Sequence, residues 1–172
     1  MRNLFIISLI VNMCTFVNAQ NNYYEKGINH YNSKNYAAAI SELTKVIETE
    51  EKGNVLSALY IRAQCKNKLE DYRGALLDYN ILFSIVEDES ESLAVVYLDR
   101  GRIKAILKNY DGAEQDFTKA IELKDGYAEA LINRGIIRSH FLEKTEKGCL
   151  DFSRAGELGI TKAYELIKEK CL

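Results

Sequence analysis

The stretch YLDRGRIKAILKNYDGAEQDFTKAI, residues 97–121, decides the fold of this chain, because a similar phrase occurs four times. The first half of each copy centres on a small residue, which is Gly27, Ala63, Gly101 and Gly135 in turn. These positions are 36, 38 and 34 residues apart. The second half carries a large apolar residue, which is Leu43, Tyr79, Phe117 and Phe152 in turn. Self-similarity at this period predicts stacked helical hairpins, each too small to fold alone.

Within each copy, apolar residues recur three and four positions apart, as at Ala113, Phe117 and Ala120. This is the periodicity of a helix that buries one face, and not the alternation of a strand. Polar pairs such as Lys34-Asn35 and Lys108-Asn109 mark short turns between the helices. We therefore predict helices over residues 21–33, 36–49, 56–69, 72–86, 93–107, 110–123, 127–142, 146–158 and 162–170.

Residues 1–19 have the pattern of a cleaved signal peptide. Arg2 precedes an apolar run, and slim or small side chains stand one and three positions before Gln20, as signal peptidase requires. A retained membrane anchor is the first alternative, although polar residues interrupt a stretch that falls short of the roughly 20 apolar residues a span needs. Lipid attachment at Cys14 is the second, although Met13 is bulky for that motif. We expect an exported protein, periplasmic or secreted, with no membrane span after cleavage.

The rest of the chain, residues 20–172, is predicted to form one repeat domain. Its repeats cover about 20–53, 56–89, 94–127 and 128–161, and residues 162–172 form a cap that repeats only the first half of the phrase. The chain contains no proline, and its formal net charge is −2. A nucleic-acid partner is not expected, because binding to phosphates requires an excess of basic residues.

The third copy resembles a tetratricopeptide repeat (TPR). Its residues follow the family order of aromatic, Gly, Tyr, Ala, aromatic and Ala, at Tyr97, Gly101, Tyr110, Ala113, Phe117 and Ala120. The fourth copy departs from this pattern, because Thr145 replaces the turn tyrosine and Gly148 replaces an alanine. The resemblance implies an all-α fold, an α-α superhelix of four helical hairpins plus a C-terminal capping helix, in an exported bacterial protein.

Charged residues follow the same period. One cation precedes each small residue, and one acid lies at the matching place in each second helix. The predicted pairs are Lys26 with Glu42, Arg62 with Asp78, Arg100 with Asp116, and Arg134 with Asp151. We expect an internal ladder of ion pairs, because arginine can bind a carboxylate through two hydrogen bonds. Independent surface charges are the alternative.

Three cysteines remain after the signal peptide, at Cys65, Cys149 and Cys171. The fourth second helix and the cap are expected to lie antiparallel about the turn near Gly159, which places Cys149 opposite Cys171. The sequence allows either a disulfide that pins the cap or two small side chains in the core. Cys65 falls among the inward residues of its helix and is expected to be an unpaired core thiol.

The resemblance implies a binding groove lined by the first helix of each hairpin. The matching positions are Tyr24, Ile28, Tyr31, Tyr60, Ile61, Gln64, Leu98, Arg102, Ile132, Asn133, Ile136 and His140. Aromatic and aliphatic residues with a few polar groups suit a peptide or a partner helix. The alternative is that some of these residues only pack the helices. Relatives that bind a C-terminal carboxylate use lysine, asparagine and arginine, but here those places hold Tyr24, Ile28, Ile61, Val95 and Asp99.

No enzymatic motif occurs in the sequence. His30 and His140 lie far apart without cysteine or carboxylate at metal-ligand spacing, and there is no phosphate-binding loop or His-Glu-x-x-His motif. No metal or cofactor is expected. We interpret the chain as a non-enzymatic protein-protein interaction module or adaptor of the cell envelope, which binds a peptide or protein of unidentified sequence. The alternative is a self-assembling structural repeat protein, and the oligomeric state is left open.

Overall fold

The computed structural model describes residues 23–49, 53–87 and 90–172. The predicted signal peptide and the start of the first predicted helix lie outside these ranges. Within them the chain forms α-helices, one short 3-10 helix and no strands, so the predicted all-α class is confirmed. The first helix, α1, covers the described residues 23–32. The others are α2 (Tyr36–Glu48), α3 (Val55–Lys68), α4 (Tyr72–Ile85), α5 (Ala94–Ile106), α6 (Tyr110–Leu123), α7 (Ala128–His140), α8 (Thr145–Glu157) and α9 (Thr161–Lys170).

The helix ends lie within a few residues of those predicted, and the main difference is the segment before α5. Residues Glu91–Leu93 form a 3-10 helix there, where the sequence indicated a turn and the start of an α-helix. Leu93 is buried, so this short element contributes to the core as well as connecting helices. None of the described helices has the length and apolar character that crossing a bilayer would require.

The chain divides into two compact units, Met1–Ile85 and Val86–Leu172. In unit 1 the buried core comes from α2 and α3, with Leu43 and Cys65 among its members, and tyrosines of α1 pack against it. In unit 2 every helix from α5 to α9 contributes to one core. These contributions include Leu98, Phe117, Leu131, Ala155 and Ala163.

Polar turns join the two helices of each hairpin in a recurring conformation. The first turn residue has a left-handed backbone, with φ of 60° at Lys34, 61° at Glu70 and 63° at Lys108. The next residue caps the following helix, and Asn109 Oδ1 accepts a hydrogen bond from the Gly112 N–H at 3.0 Å. Such a cap satisfies a backbone donor that has no partner within the helix. In the fourth hairpin, Lys144 at the cap position makes no side-chain hydrogen bond of this kind.

The small residue of each copy is required by helix packing. A β-carbon at Gly101 would lie 2.7 Å from Phe117 Cε1, and one at Gly135 would lie 2.5 Å from Phe152 Cε1. Both distances are far below normal carbon-carbon contact, and core packing leaves no space into which the rings could move freely. In the third and fourth copies the phenylalanine of the second helix thus rests directly on the backbone of the first helix.

Gly148, where the fourth copy departs from the family pattern, has a packing role of its own. A β-carbon there would lie 2.8 Å from the backbone oxygen of Gly135 and 3.1 Å from Ser139 Cβ. A backbone oxygen inside a helix cannot rotate away as a side chain can. Helices α7 and α8 therefore approach more closely at this point than an alanine would permit.

We expect Gly148→Ala to destabilise the protein by about 1–3 kcal/mol, because it overpacks the contact between α7 and α8. Helix propensity alone predicts the opposite sign, a gain of about 0.5–1 kcal/mol for alanine over glycine. The free energy of unfolding is measured by urea denaturation. Gly53→Ala is the control, since a β-carbon there would meet nothing within 4 Å. A Gly148→Ala variant as stable as the wild type would contradict the close approach.

Candidate functional site

The last three hairpins each contain a buried aspartate that an arginine of the preceding helix binds through both carboxylate oxygens. Arg62 donates from Nε to Asp78 Oδ2 at 2.9 Å and from Nη2 to Oδ1 at 2.7 Å. Arg100 binds Asp116 with the same two atoms at the same distances. Arg134 binds Asp151 at 3.0 and 2.6 Å. The structure thus brings together three of the four predicted pairs.

Each of these aspartates also binds a second cation, four residues after the arginine, which the sequence analysis missed. Lys66 Nζ lies 2.8 Å from Asp78 Oδ2, and Lys104 Nζ lies 2.8 Å from Asp116 Oδ2. Arg138 Nη1 lies 2.9 Å from Asp151 Oδ2. The sequence did contain a signal for this second contact, because a lysine or arginine occurs four residues after each of the three arginines. Residues four apart lie on the same face of a helix, so both cations can reach the same carboxylate.

The predicted pair of Lys26 with Glu42 is wrong for the described part of the chain. Glu42 Oε1 instead accepts a hydrogen bond from Lys45 Nζ at 2.8 Å, and Lys26 is exposed. Lysine lacks the planar fork with which arginine binds both oxygens of a carboxylate. The position four residues after Lys26 holds His30, where the later hairpins have a lysine or arginine. Glu42 Oε2 is buried without a hydrogen-bond partner.

A further charged cluster joins three helices of unit 2. Glu114 of α6 accepts hydrogen bonds from Arg138 Nε and from Lys144 Nζ, each at 2.6 Å. Burial alone would raise the pKa of Glu114, but the hydrogen bonds from Lys144 and Arg138 and their charges outweigh it, so its pKa is lowered. The carboxylate is therefore ionised at neutral pH and connects α6, α7 and the start of α8.

The predicted groove residues of unit 1 contact one another. Tyr31 Oη donates to Gln64 Oε1 at 2.9 Å, and Gln64 Nε2 donates to Tyr60 Oη at 2.8 Å. Tyr24, Tyr31 and Ile61 also pack against the core of this unit. Ile28 is partly buried. Substituting these residues would therefore disturb packing as well as any ligand contact.

In unit 2 one predicted groove residue is wrong. Leu98 is only 1% exposed and belongs to the core, so it cannot contact a ligand at the surface. Its branched side chain is short enough for the neighbouring helices to cover it, whereas the tyrosines at the same place in the first two copies, Tyr24 and Tyr60, are only partly buried. Ile132 packs partly against the same core. His140 is exposed, with Nδ1 3.2 Å from the backbone oxygen of Ile136.

Three predicted groove residues, Arg102, Asn133 and Ile136, meet in a pocket of about 440 Å³ in unit 2. We call this cavity the unit 2 pocket. It lies between α5, α6 and α7, and its remaining walls are mainly apolar. The sequence analysis did not assign Ile106, Tyr110 or Phe141 to a site. Tyr110 was predicted as the first residue of a helix and Phe141 as part of the helix over residues 127–142, and no periodic pattern indicated that these two rings meet.

Tyr110 and Phe141 form the aromatic wall of the unit 2 pocket. Their rings are stacked, with centroids 4.1 Å apart and planes inclined by 14°. Phe141 is 48% exposed, and Ile106, which also lines the pocket, is 50% exposed. Large apolar side chains exposed side by side around a concavity are a common feature of binding surfaces.

Arg102 and Asn133 form the polar edge of the unit 2 pocket. Arg102 binds the carboxylate of Glu129 and lies 3.5 Å from Asp99 Oδ1. Asn133 Nδ2 donates to the backbone oxygen of Glu129 at 2.9 Å. Glu129 therefore lies next to both polar residues of the pocket.

No group of three or more His, Cys, Asp or Glu side chains is arranged to hold a metal ion anywhere in residues 23–49, 53–87 and 90–172. Cys65 is buried as a free thiol, and burial raises its pKa to about 11. At neutral pH this thiol is protonated and therefore a poor nucleophile or metal ligand.

Comparison with known proteins shows partial sequence matches. RNA polymerase II-associated protein 3 of Xenopus laevis is 29% identical over 106 residues, which are 62% of this chain and 15% of that protein. The Xenopus tropicalis protein is 30% identical over 106 residues, again 15% of its length. The chain thus spans about 15% of the length of the curated relatives it matches. No family model matches the chain.

Solved structures match over most of the chain. MamA protein superposes with a TM-score of 0.74 at 18% identity, covering 84% of this chain and 76% of MamA. YrrB, described as a TPR protein with an unusual peptide-binding site, has a TM-score of 0.74 at 20% identity, with coverages of 88% and 75%. The first TPR of Spaghetti (RPAP3), bound to the HSP90 peptide SRMEEVD, has a TM-score of 0.59 at 23% identity, with coverages of 66% and 88%. The fold of this chain is therefore that of the tetratricopeptide repeat proteins.

Proposed function

We propose that this protein is a non-enzymatic interaction module that binds a peptide, or a segment of a partner protein, in the unit 2 pocket. The observation that carries the proposal is the pocket itself, in which half-exposed Ile106 and Phe141 flank a cavity of about 440 Å³. That volume lies within the roughly 300–1,000 Å³ of small-ligand sites and would take an anchoring side chain of a peptide. Arg102 and Asn133 at the edge supply polar contacts that would orient the bound chain.

The structural neighbours support a binding role. YrrB carries a peptide-binding site, and the first TPR of Spaghetti was solved with a peptide bound. We do not extend the proposal to the HSP90 peptide SRMEEVD of the latter. The places that the family resemblance assigns to the binding of a C-terminal carboxylate are occupied here by Tyr24, Ile28, Ile61, Val95 and Asp99.

A catalytic role is less well supported by the unit 2 pocket. The described residues that line it include no histidine, cysteine, serine or carboxylate. General acid-base or nucleophilic catalysis needs such groups within hydrogen-bond reach of a substrate. Arg102 and Asn133 can hold a ligand, but neither would accept a proton at neutral pH.

We further propose that the protein works in the cell envelope or outside the cell. The pattern of residues 1–19 supports export. A disulfide between Cys149 and Cys171 is consistent with this location, because disulfides persist mainly in oxidising compartments. Fractionation of the producing cells tests the location, and protein found only in the reducing cytosol at full chain length would overturn it.

The binding role is tested by capture from an envelope extract of the producing organism with the purified protein and two variants. Ile136→Asp places a charge in the unit 2 pocket, and we expect it to reduce recovery of a specific partner about tenfold or more. Leu77→Asp is the matched control, because Leu77 is exposed on α4 in unit 1. Circular dichroism and thermal melting check that both variants fold. If Ile136→Asp captures every partner as well as the control does, the pocket is not the binding site.

A further inference from the structure

The guanidinium of Arg102, at the edge of the unit 2 pocket, already has acidic partners. Arg102 is the only charged residue that lines the cavity among those described, and its guanidinium is shared by two carboxylates, Asp99 and Glu129. An acidic ligand group that approached Arg102 would meet two negative side chains already in place, whereas a basic group would be attracted to them.

The position of Glu129 favours contact with a ligand. Its side chain is 57% exposed, although it binds Arg102, so a second cation can reach the outer carboxylate oxygen. The side-chain nitrogen of Asn133 donates a hydrogen bond to the backbone of α7. The side-chain oxygen of Asn133 remains as a hydrogen-bond acceptor at the same edge. Two groups at this edge can thus accept hydrogen bonds from a lysine or arginine.

Tyr127 lies close to the same charged side chains. Burial is the main reason that the pKa of this hydroxyl is raised, and the next contributions come from the negative charges of Glu129 and Asp99. Arg102 acts in the opposite direction but ranks below both carboxylates. The contributions of Glu129 and Asp99 to the pKa of Tyr127 thus rank above that of Arg102.

The opposite wall of the pocket suits an apolar group. Tyr110 and Phe141 are stacked, and Ile106, Ile136 and Phe141 leave apolar surface accessible to a ligand. Burying a large side chain against such surface contributes about 1.5–3 kcal/mol for a Leu- or Phe-sized group. The faces of aromatic rings also attract cations, so this wall does not repel a neighbouring basic residue.

We propose that the unit 2 pocket recognises a peptide segment in which an apolar side chain enters between Ile106, Ile136 and Phe141 and an adjacent lysine or arginine binds Glu129. This inference rests on the proposed function and adds the chemistry of the ligand to it. The occupant is a basic, amphipathic segment of a partner protein, rather than an acidic one.

The experiment selects peptides from a phage-displayed library of random linear sequences on the purified full-length protein. We expect the enriched peptides to carry a lysine or arginine within two positions of a large apolar residue. Synthetic copies of these peptides are then measured by fluorescence anisotropy. Replacing the basic residue with glutamate should weaken binding by roughly three- to tenfold, the effect of exchanging an attraction for a repulsion at a partly exposed site.

A charge reversal in the protein completes the test. Glu129→Lys should weaken the basic peptides and restore or improve binding of their glutamate versions, whereas Glu157→Lys, the same change at an exposed position of α8, should alter neither. Enriched peptides with acidic residues or no charge preference would overturn the inference. If these acidic or uncharged peptides bind the wild-type protein but not the Ile136→Asp variant, the proposed function stands even though the further inference fails. If Ile136→Asp binds every enriched peptide, or if none is enriched, the proposed function fails as well.

Discussion

Replacing Asp78 by asparagine is expected to destabilise the protein by about 3–5 kcal/mol, the usual cost of removing one partner from a buried ion pair. Asp78 is fully buried, and its two oxygens bind Arg62 and Lys66. Asparagine has nearly the same shape but no charge. The substitution would leave two cations, whose side chains are only 12% and 16% exposed, next to each other without a counter-ion.

The matched control is Asp125→Asn, the same chemical change at the surface. Asp125 binds Arg154, but their side chains are 90% and 49% exposed. Exposed ion pairs contribute at most about 1 kcal/mol, so this variant should be close to the wild type in stability. Both variants are compared by urea denaturation. If Asp78→Asn and Asp125→Asn both lower the free energy of unfolding by the same small amount, Asp78 does not compensate the charges of Arg62 and Lys66.

A triple variant separates the loss of a contact from the cost of an unpaired charge. Combining Asp78→Leu with Arg62→Met and Lys66→Met removes all three charges and keeps most of the volume. Buried ion pairs replaced by apolar residues are often neutral in stability, so the triple variant should recover most of the loss of Asp78→Asn. A triple variant as unstable as the single one would mean that the hydrogen-bonded geometry itself carries the stability.

The disulfide of Cys149 with Cys171 gives the second large prediction. It joins α8 to the residue after α9, across 22 positions of sequence, with Cα atoms 5.9 Å apart. Changing both cysteines to serine is expected to lower the free energy of unfolding by about 3 kcal/mol, because the unfolded chain regains the freedom of a closed loop. Helix α9 should be affected first, since Ala163 is its only fully buried residue.

The measurement compares denaturation and amide hydrogen exchange with and without a reducing agent. The reduced wild type should match the double serine variant, and exchange in α9 should speed up before exchange in α5 to α8. The reducing agent should have no further effect on the double variant. Cys65→Ala serves as a control, because it removes the free cysteine and keeps the disulfide. The reducing agent should therefore still lower the stability of this variant. Identical stability of the oxidised and reduced wild type would contradict the role assigned to this cross-link.

Features that depend on nearby residues or on the repeat itself could be predicted from the sequence. The all-α fold follows from apolar residues three and four positions apart, as at Ala113 and Phe117, which any helix places on one face. The pairing of Arg62, Arg100 and Arg134 with aspartates could be inferred because the period repeated the same arrangement. The first copy has a lysine and a glutamate, Lys26 and Glu42, in place of the arginine and aspartate of the other copies, and there the same inference failed.

Other features exist only because helices distant in sequence pack together. The stacking of Tyr110 on Phe141, the ion pair of Arg102 with Glu129, and the burial of Leu98 depend on the spacing and tilt of α5, α6 and α7. The sequence by itself determined the helices and their order, because local periodicity records which face each helix buries. Only the tertiary structure decided the site, because a pocket is the space left between packed surfaces and its size changes with shifts that no local pattern records.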